Sequence, residues 1–305
     1  MHLDSFLENL IATDASPHTV DSYRRALTSF RDWFRLTNNT PPQDSTVTPL
    51  DIREYRQYLM TVRRLSRNTV NHSLAALRAY FRWSVEAGHV ATSPAAAIRN
   101  VAAAPSPAQH SLERRDVLAL RRAAQERIQI AASKHNEYSY RQAIRNHTIL
   151  VLLLNTGLRV AELCALHDDD VTLAPRSGTV TVRSGKGEKT RTIPLNADAR
   201  NALTEWRDVR REKAPPALFT GQSGNPLTPR GVQSVIASLA NYANIENVSP
   251  HTLRHTFARN LVDSGVPLPD VSALLGHANL NTTMIYTRPS ARDMAAAVQK
   301  ISWTD

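Results

Sequence analysis

Four short stretches, scattered over the C-terminal two-thirds of the chain, carry residue types that together can break a phosphodiester. In NTGLRVAEL, Gly157 ends one helix and Arg159 stands at the start of the next, where helix amides and a guanidinium fork both suit a phosphate. Glu162, three residues on, shares the helical face of Arg159, and read alone it makes that arginine an ordinary ion-pair partner. SGKGEKTR holds Lys186 and Lys189, two of only five lysines among 37 basic side chains. In a chain that otherwise prefers arginine, a lysine at a glycine-flanked tip is a candidate proton donor, because lysine can give up its proton and arginine cannot. SPHTLRHTFARNLVDSG places His251 and Arg254 one turn apart on a helix capped by Ser249 and stopped by Gly265. His255, at i+4 from His251, invites a metal, but neither H-E-x-x-H nor a cysteine pair completes a site, and His255 is expected in the interior. SALLGHANLNTTMIYTRPS carries His277 and, nine residues later, Tyr286.

An oxygen nucleophile attacking a phosphodiester builds negative charge on the non-bridging oxygens, and fixed cations stabilise it. A tyrosine ordinarily titrates near pH ~10. Neighbouring cations favour its phenolate and a histidine can help remove the proton, which makes Tyr286 the candidate nucleophile. The departing oxygen needs a proton back, and Lys186 can deliver it. The set needs no magnesium, no ATP and no other cofactor.

These residues need elements to hold them. Residues 1–94 read as helices: Val20, Tyr23, Leu27, Phe30 and Phe34 form one apolar stripe, and Val70, Leu74, Leu77, Phe81 and Val85 another, with Gly88 placed to end it. Thr48 and Pro49 mark a helix start between them. Arg24, Arg25, Arg31, Arg78 and Arg82 fall largely off the stripes, as a solvated face or as phosphate contacts; Lys189 and Arg191 join them as candidate DNA contacts. The stretch TSPAAAIRNVAAAPSPAQHS has no apolar period and reads as a linker. The expected organisation is a helical domain over 1–95, a linker over 96–110 and a catalytic domain over 111–305. In the last, ILVLLLNTG is a buried helix, and residues 179–195 switch to period two around a Gly-Lys-Gly turn, a β-hairpin. The fold class is therefore mainly α with a small β-hairpin or sheet, a helical N-terminal domain followed by a mixed α/β one.

Bulk properties agree with a polyanionic partner. The net charge is +10 and the pI about 10.2, with +3 on residues 1–100 and +7 on 101–305. Cys164 is the single cysteine, which excludes an intrachain disulfide and a cysteine-based zinc site. No long apolar run predicts a membrane span, and the acidic start MHLDSFLENL does not read as a secretory leader, so a cytoplasmic location is expected.

The stretches TGLRVAE, GKG, HTLRH, LGH and IYT, in this order and spacing, resemble the signature of the tyrosine recombinases, the phage-integrase and Xer family, over roughly residues 4–290. The resemblance implies that Tyr286 forms a 3′-phosphotyrosyl link and that Arg159 and Arg254 clamp the scissile phosphate. It makes Lys186 the general acid, gives His251 to proton transfer and His277 to a hydrogen bond on the phosphate, and puts Glu162 behind them as an orienting residue. It further implies an N-terminal core-binding domain, double-stranded core-type attachment sites, a dimer per site and a homotetramer on DNA. An accessory directionality factor and a place with the nucleoid of a bacterial host complete the picture, with no membrane partner. The tail ARDMAAAVQKISW resembles a segment that docks on a neighbouring protomer, or else packs on its own domain. QERIQIAASKHNEYSYRQAIRN, over 125–146, looks longer than the minimal pattern. The chain begins directly at the core-binding helices, without the module used for arm-type sites, which leaves an arm-less integrase or a Xer-like dimer resolvase. TRPSARD, departing from the T-H-V-S of Xer proteins, favours the integrase of a phage or mobile element. The rivals are a DNA-binding regulator that does not cut and a topoisomerase that shares the phosphotyrosine.

Overall fold

The computed structural model describes residues 1–102, 111–183, 190–210 and 216–276. The chain divides into two compact units, Met1–Ser106 and Pro107–Asp305. The described residues of the first form four helices, α1 (Leu3–Ala12), α2 (Pro17–Asn38), α3 (Pro49–Thr61) and α4 (Arg67–Glu86). Three of them begin for one reason: the hydroxyls of Ser16, Thr48 and Ser66 accept from the amides of Thr19, Asp51 and Thr69. Each such cap stabilises its helix by about 1 kcal/mol. The two apolar stripes then meet, with Val20, Leu27, Phe30 and Phe34 of α2 in one core with Val70, Leu74, Leu77 and Phe81 of α4. Gly88, left-handed at φ 76°, turns the chain after α4.

The stretch expected to open the linker instead packs on this first unit. Ile98 is buried, Asn71 exchanges two hydrogen bonds with the backbone of Val101 (3.0 and 2.8 Å), and Arg78 donates to the Ile98 carbonyl (3.0 Å) and Asn100 Oδ1 (2.7 Å). Side chains thus supply the hydrogen bonds that this backbone lacks for want of regular structure.

The second unit is built on α6 (Glu137–Thr156), buried without interruption from Ile149 to Leu154 and therefore surrounded. Packed against α6 are α5 (Arg114–Ser133), α8 (Ala197–Val209), α9 (Pro229–Tyr242) and α10 (Pro250–Asp263). The long-looking stretch over 125–146 is the end of α5, a turn with His135 left-handed at φ 49°, and the start of α6. A short α7 (Val160–Ala165) leads to an antiparallel sheet of β1 (Val171–Leu173), β2 (Gly178–Val182) and β3 (Arg191–Pro194), in that order. The expected hairpin is β2–β3, registered Val180 opposite Ile193, both buried. The third strand, β1, comes in addition. The last described helix is α11 (Leu268–Leu275).

Candidate active site

Arg159 is placed by a glycine. After α6, Gly157 adopts a left-handed conformation (φ 61°), and a Cβ there would lie 2.4 Å from Phe257 Cδ1. The chain then straightens, and Arg159 becomes the extended residue ahead of α7. Its amide donates to Glu162 Oε2 (2.7 Å) and its Nη1 to Oε1 (2.8 Å). Arg191, at the start of β3, forks onto the same carboxylate, Nη1 to Oε1 at 2.9 Å and Nη2 to Oε2 at 2.7 Å. One carboxylate therefore serves two guanidinium groups, and the trio keeps one positive charge. Burial pushes the Glu162 carboxyl up, but the hydrogen bonds from Arg191 and Arg159 and the charge of Arg191 outweigh it and hold the group below its ordinary value.

The same arginines converge on the end of α11. Arg191 Nε donates to the Leu274 carbonyl (3.0 Å), Arg254 Nη2 to Leu275 (2.9 Å) and Arg159 Nη2 to Gly276 (2.9 Å). Helix C-termini leave carbonyls without partners and carry the negative end of the dipole, so three cations have a physical reason to gather there. Arg254 also donates to the Gly157 carbonyl (2.5 Å) and is only 3% exposed, whereas the Arg159 side chain is 40% exposed. Two arginines distant in sequence thus sit on consecutive carbonyls, one anchored and one open to solvent, an arrangement that can hold an anion.

α10 supplies Arg254 and, one turn earlier, His251. The helix starts where Ser249 Oγ accepts from the Thr252 amide (3.1 Å), with Pro250 in the first turn. His251 is exposed, while His255 is buried as expected and meets it edge to face, centroids 4.1 Å apart. Partial burial first, and the Arg254 charge second, hold the His251 pKa below the usual imidazole range. A neutral imidazole beside a guanidinium group can accept a proton.

Comparison with known proteins decides the family. The phage integrase family profile matches residues 121–292, more than half of the chain, and that of the phage integrase N-terminal SAM-like domain matches residues 3–88. The chain belongs to the phage integrase family. It is 33% identical over 297 residues to tyrosine recombinase XerC of Xanthomonas campestris pv. campestris (strain B100), covering 96% of this chain and 85% of that relative. Its fold resembles the XerH site-specific recombinase bound to palindromic difH substrate in a post-cleavage complex (TM-score 0.76, 23% identity, 95% and 82% of the two chains). It also resembles a lambda integrase (75–356) dimer bound to a COC′ core site (TM-score 0.70, 17% identity, 92% and 95%). The chain is a site-specific tyrosine recombinase, with the helical N-terminal and mixed catalytic units of that fold.

Within this phage integrase family member the remaining candidates fall into three groups. Lys186, Lys189, His277 and Tyr286 lie outside the described residues, as does the tail; Lys186 and Lys189 belong to the connection between β2 and β3, and His277 follows Gly276 directly. Arg24, Arg25, Arg31 and Arg82 are exposed on α2 and α4. Of the other two candidates for DNA contact, Arg191 forks onto Glu162, and half-buried Arg78 donates to the Ile98 carbonyl and to the Asn100 side chain. The inward turn of Arg191 had a signal in the sequence: in a period-two strand it lies two residues from Ile193 and shares its buried face. Among the described residues no cluster of His, Cys, Asp and Glu could hold a metal ion, and no helix is long and apolar enough to cross a membrane.

Proposed function

We propose that this recombinase cleaves and rejoins double-stranded DNA through a 3′-phosphotyrosine on Tyr286. The phenolic oxygen bonds to phosphorus as the bond to the 5′ oxygen breaks. Lys186 protonates that oxygen, and His251 takes the phenolic proton. Arg159 and Arg254 hold the non-bridging oxygens, joined by His277, and Glu162 orients Arg159. The covalent link keeps the energy of the phosphodiester, so rejoining needs no ATP. The observation that carries this reading is the seating of Arg159 and Arg254 on the adjacent carbonyls of Leu275 and Gly276, immediately before the stretch that leads to Tyr286.

The partner DNA is a core-type site occupied by a dimer, with two such dimers in a tetramer and an accessory factor setting direction, all in the cytoplasm of a bacterial host. The segment TRPSARD supports integration and excision of a phage or mobile element. Dimer resolution is the second reading, favoured by the likeness to XerC along nearly the whole chain. Incubation with a nicked duplex bearing the site selected by the protein from a random library is expected to give a detergent-stable, protease-sensitive adduct. Tyr286→Phe is expected to abolish it; an adduct that persists in this variant refutes the assignment. Recombinant joints between two sites then separate recombination from simple relaxation.

A further inference from the structure

Arg191 stands out because it bonds to Glu162 of α7 and to the end of α11 at once while its side chain is only 16% exposed. Its two Nη groups hold both oxygens of Glu162, and its Nε holds the Leu274 carbonyl. Gly276 lies so close that a Cβ there would be 2.8 Å from Nη1. β3, α7 and the end of α11 are thus tied by one guanidinium group. We propose that Arg191 is a positioning residue for strand cleavage, which shares the Glu162 carboxylate with Arg159 and so leaves Arg159 a net positive charge for the scissile phosphate. This rests on the recombinase reading above.

Paired alone with Glu162, Arg159 would be a neutral ion pair, and a neutral pair has little to offer a phosphorane whose negative charge is growing. With Arg191 on the other side of the carboxylate, the trio carries one positive charge, and its exposed member is Arg159.

The test uses the full-length protein and a nicked duplex built on the sequence selected by the wild type from a random library, cleaved in single turnover at saturating protein. Arg191→Gln is expected to slow cleavage about 10- to 100-fold, less than or at the edge of what direct loss of an oxyanion donor costs, with DNA affinity changed less than about threefold. Removing the carboxylate as well should restore the charge of Arg159, so Glu162→Gln/Arg191→Gln is expected to be at least about tenfold faster than Arg191→Gln alone. A purely structural role predicts the reverse, since the double variant loses more contacts. Arg191→Lys, which keeps the charge without the fork, is expected within about fivefold of the wild type, and it carries the test if Arg191→Gln does not fold. The proposal is overturned if the double variant is no faster than Arg191→Gln, if Arg191→Gln matches the wild type, or if a folded Arg191→Lys is more than about fivefold slower than the wild type. Absence of any adduct with the wild type would instead refute the recombinase reading.

Discussion

His251 shows how a single side chain can be prepared for its work. It lies exposed near the start of α10, one turn from Arg254, with His255 against its ring. Loss of part of its hydration and then the Arg254 charge both disfavour the imidazolium, so its pKa lies below the ordinary value. The sign follows directly: in the free protein the ring is neutral at pH 7 and protonates only as the pH falls through that lowered value. A bound phosphate adds negative charge opposite Arg254 and should push the titration back upward. Proton NMR of the free protein is expected to place the His251 midpoint below ~6.5, and addition of DNA to raise it. A midpoint above ~6.5 without DNA, or one that DNA lowers, would remove His251 as the proton acceptor.

At the scale of elements, the end of α11 is the joint of the site, because three arginines from α10, β3 and the turn before α7 meet on its carbonyls. Gly276 makes that possible, with φ 66° and no side chain in the way of Arg191. Gly88 is the natural control: its φ is 76°, but a Cβ there would meet nothing within 4 Å. Both glycine-to-alanine changes should cost about 1–2 kcal/mol for the left-handed backbone. Gly276→Ala is expected to lose cleavage beyond what its unfolding midpoint explains, and Gly88→Ala is not; equal losses in the two would deny the joint its role. Much of this scaffold was legible in the sequence, since the caps at Thr48 and Ser249 and the stops at Gly88, Gly157 and Gly265 are local chemistry. Other features depend on contacts distant in sequence and left no local trace. β1 is three residues long, too short to show a period, and 96–102 has no pattern because Asn71 and Arg78 order it from α4. The same limit applies to the arginines, whose type says charge but whose partner decides between DNA and protein.

Over the whole molecule, the net charge of +10 sets the long-range attraction to DNA, and both stretches of the chain share it. Every phosphate neutralised releases counterions, so the logarithm of the binding constant should fall with the logarithm of salt concentration by about 0.9 per contact. Arg24, Arg25, Arg31 and Arg82 present exposed side chains on α2 and α4, and the Arg31 pairing with Asp32 at 3.8 Å is exposed and weak. Arg78 donates to the Ile98 carbonyl and to Asn100 Oδ1, neutral acceptors that hold its guanidinium against the first unit. Replacing the four exposed arginines with glutamine is therefore expected to lower the steepness of the salt dependence by up to about 3.6, measured by fluorescence anisotropy from 50 to 200 mM salt as about 0.9 for each lost contact. Arg78→Gln is expected to leave the slope unchanged and to cost about 1–2 kcal/mol of stability, because the Ile98 carbonyl and the Asn100 side chain lose their donor. A steep slope that survives the fourfold change would move the DNA-binding surface of the first unit away from α2 and α4. A slope lowered by Arg78→Gln would mean that its contacts to 98–100 give way when DNA arrives.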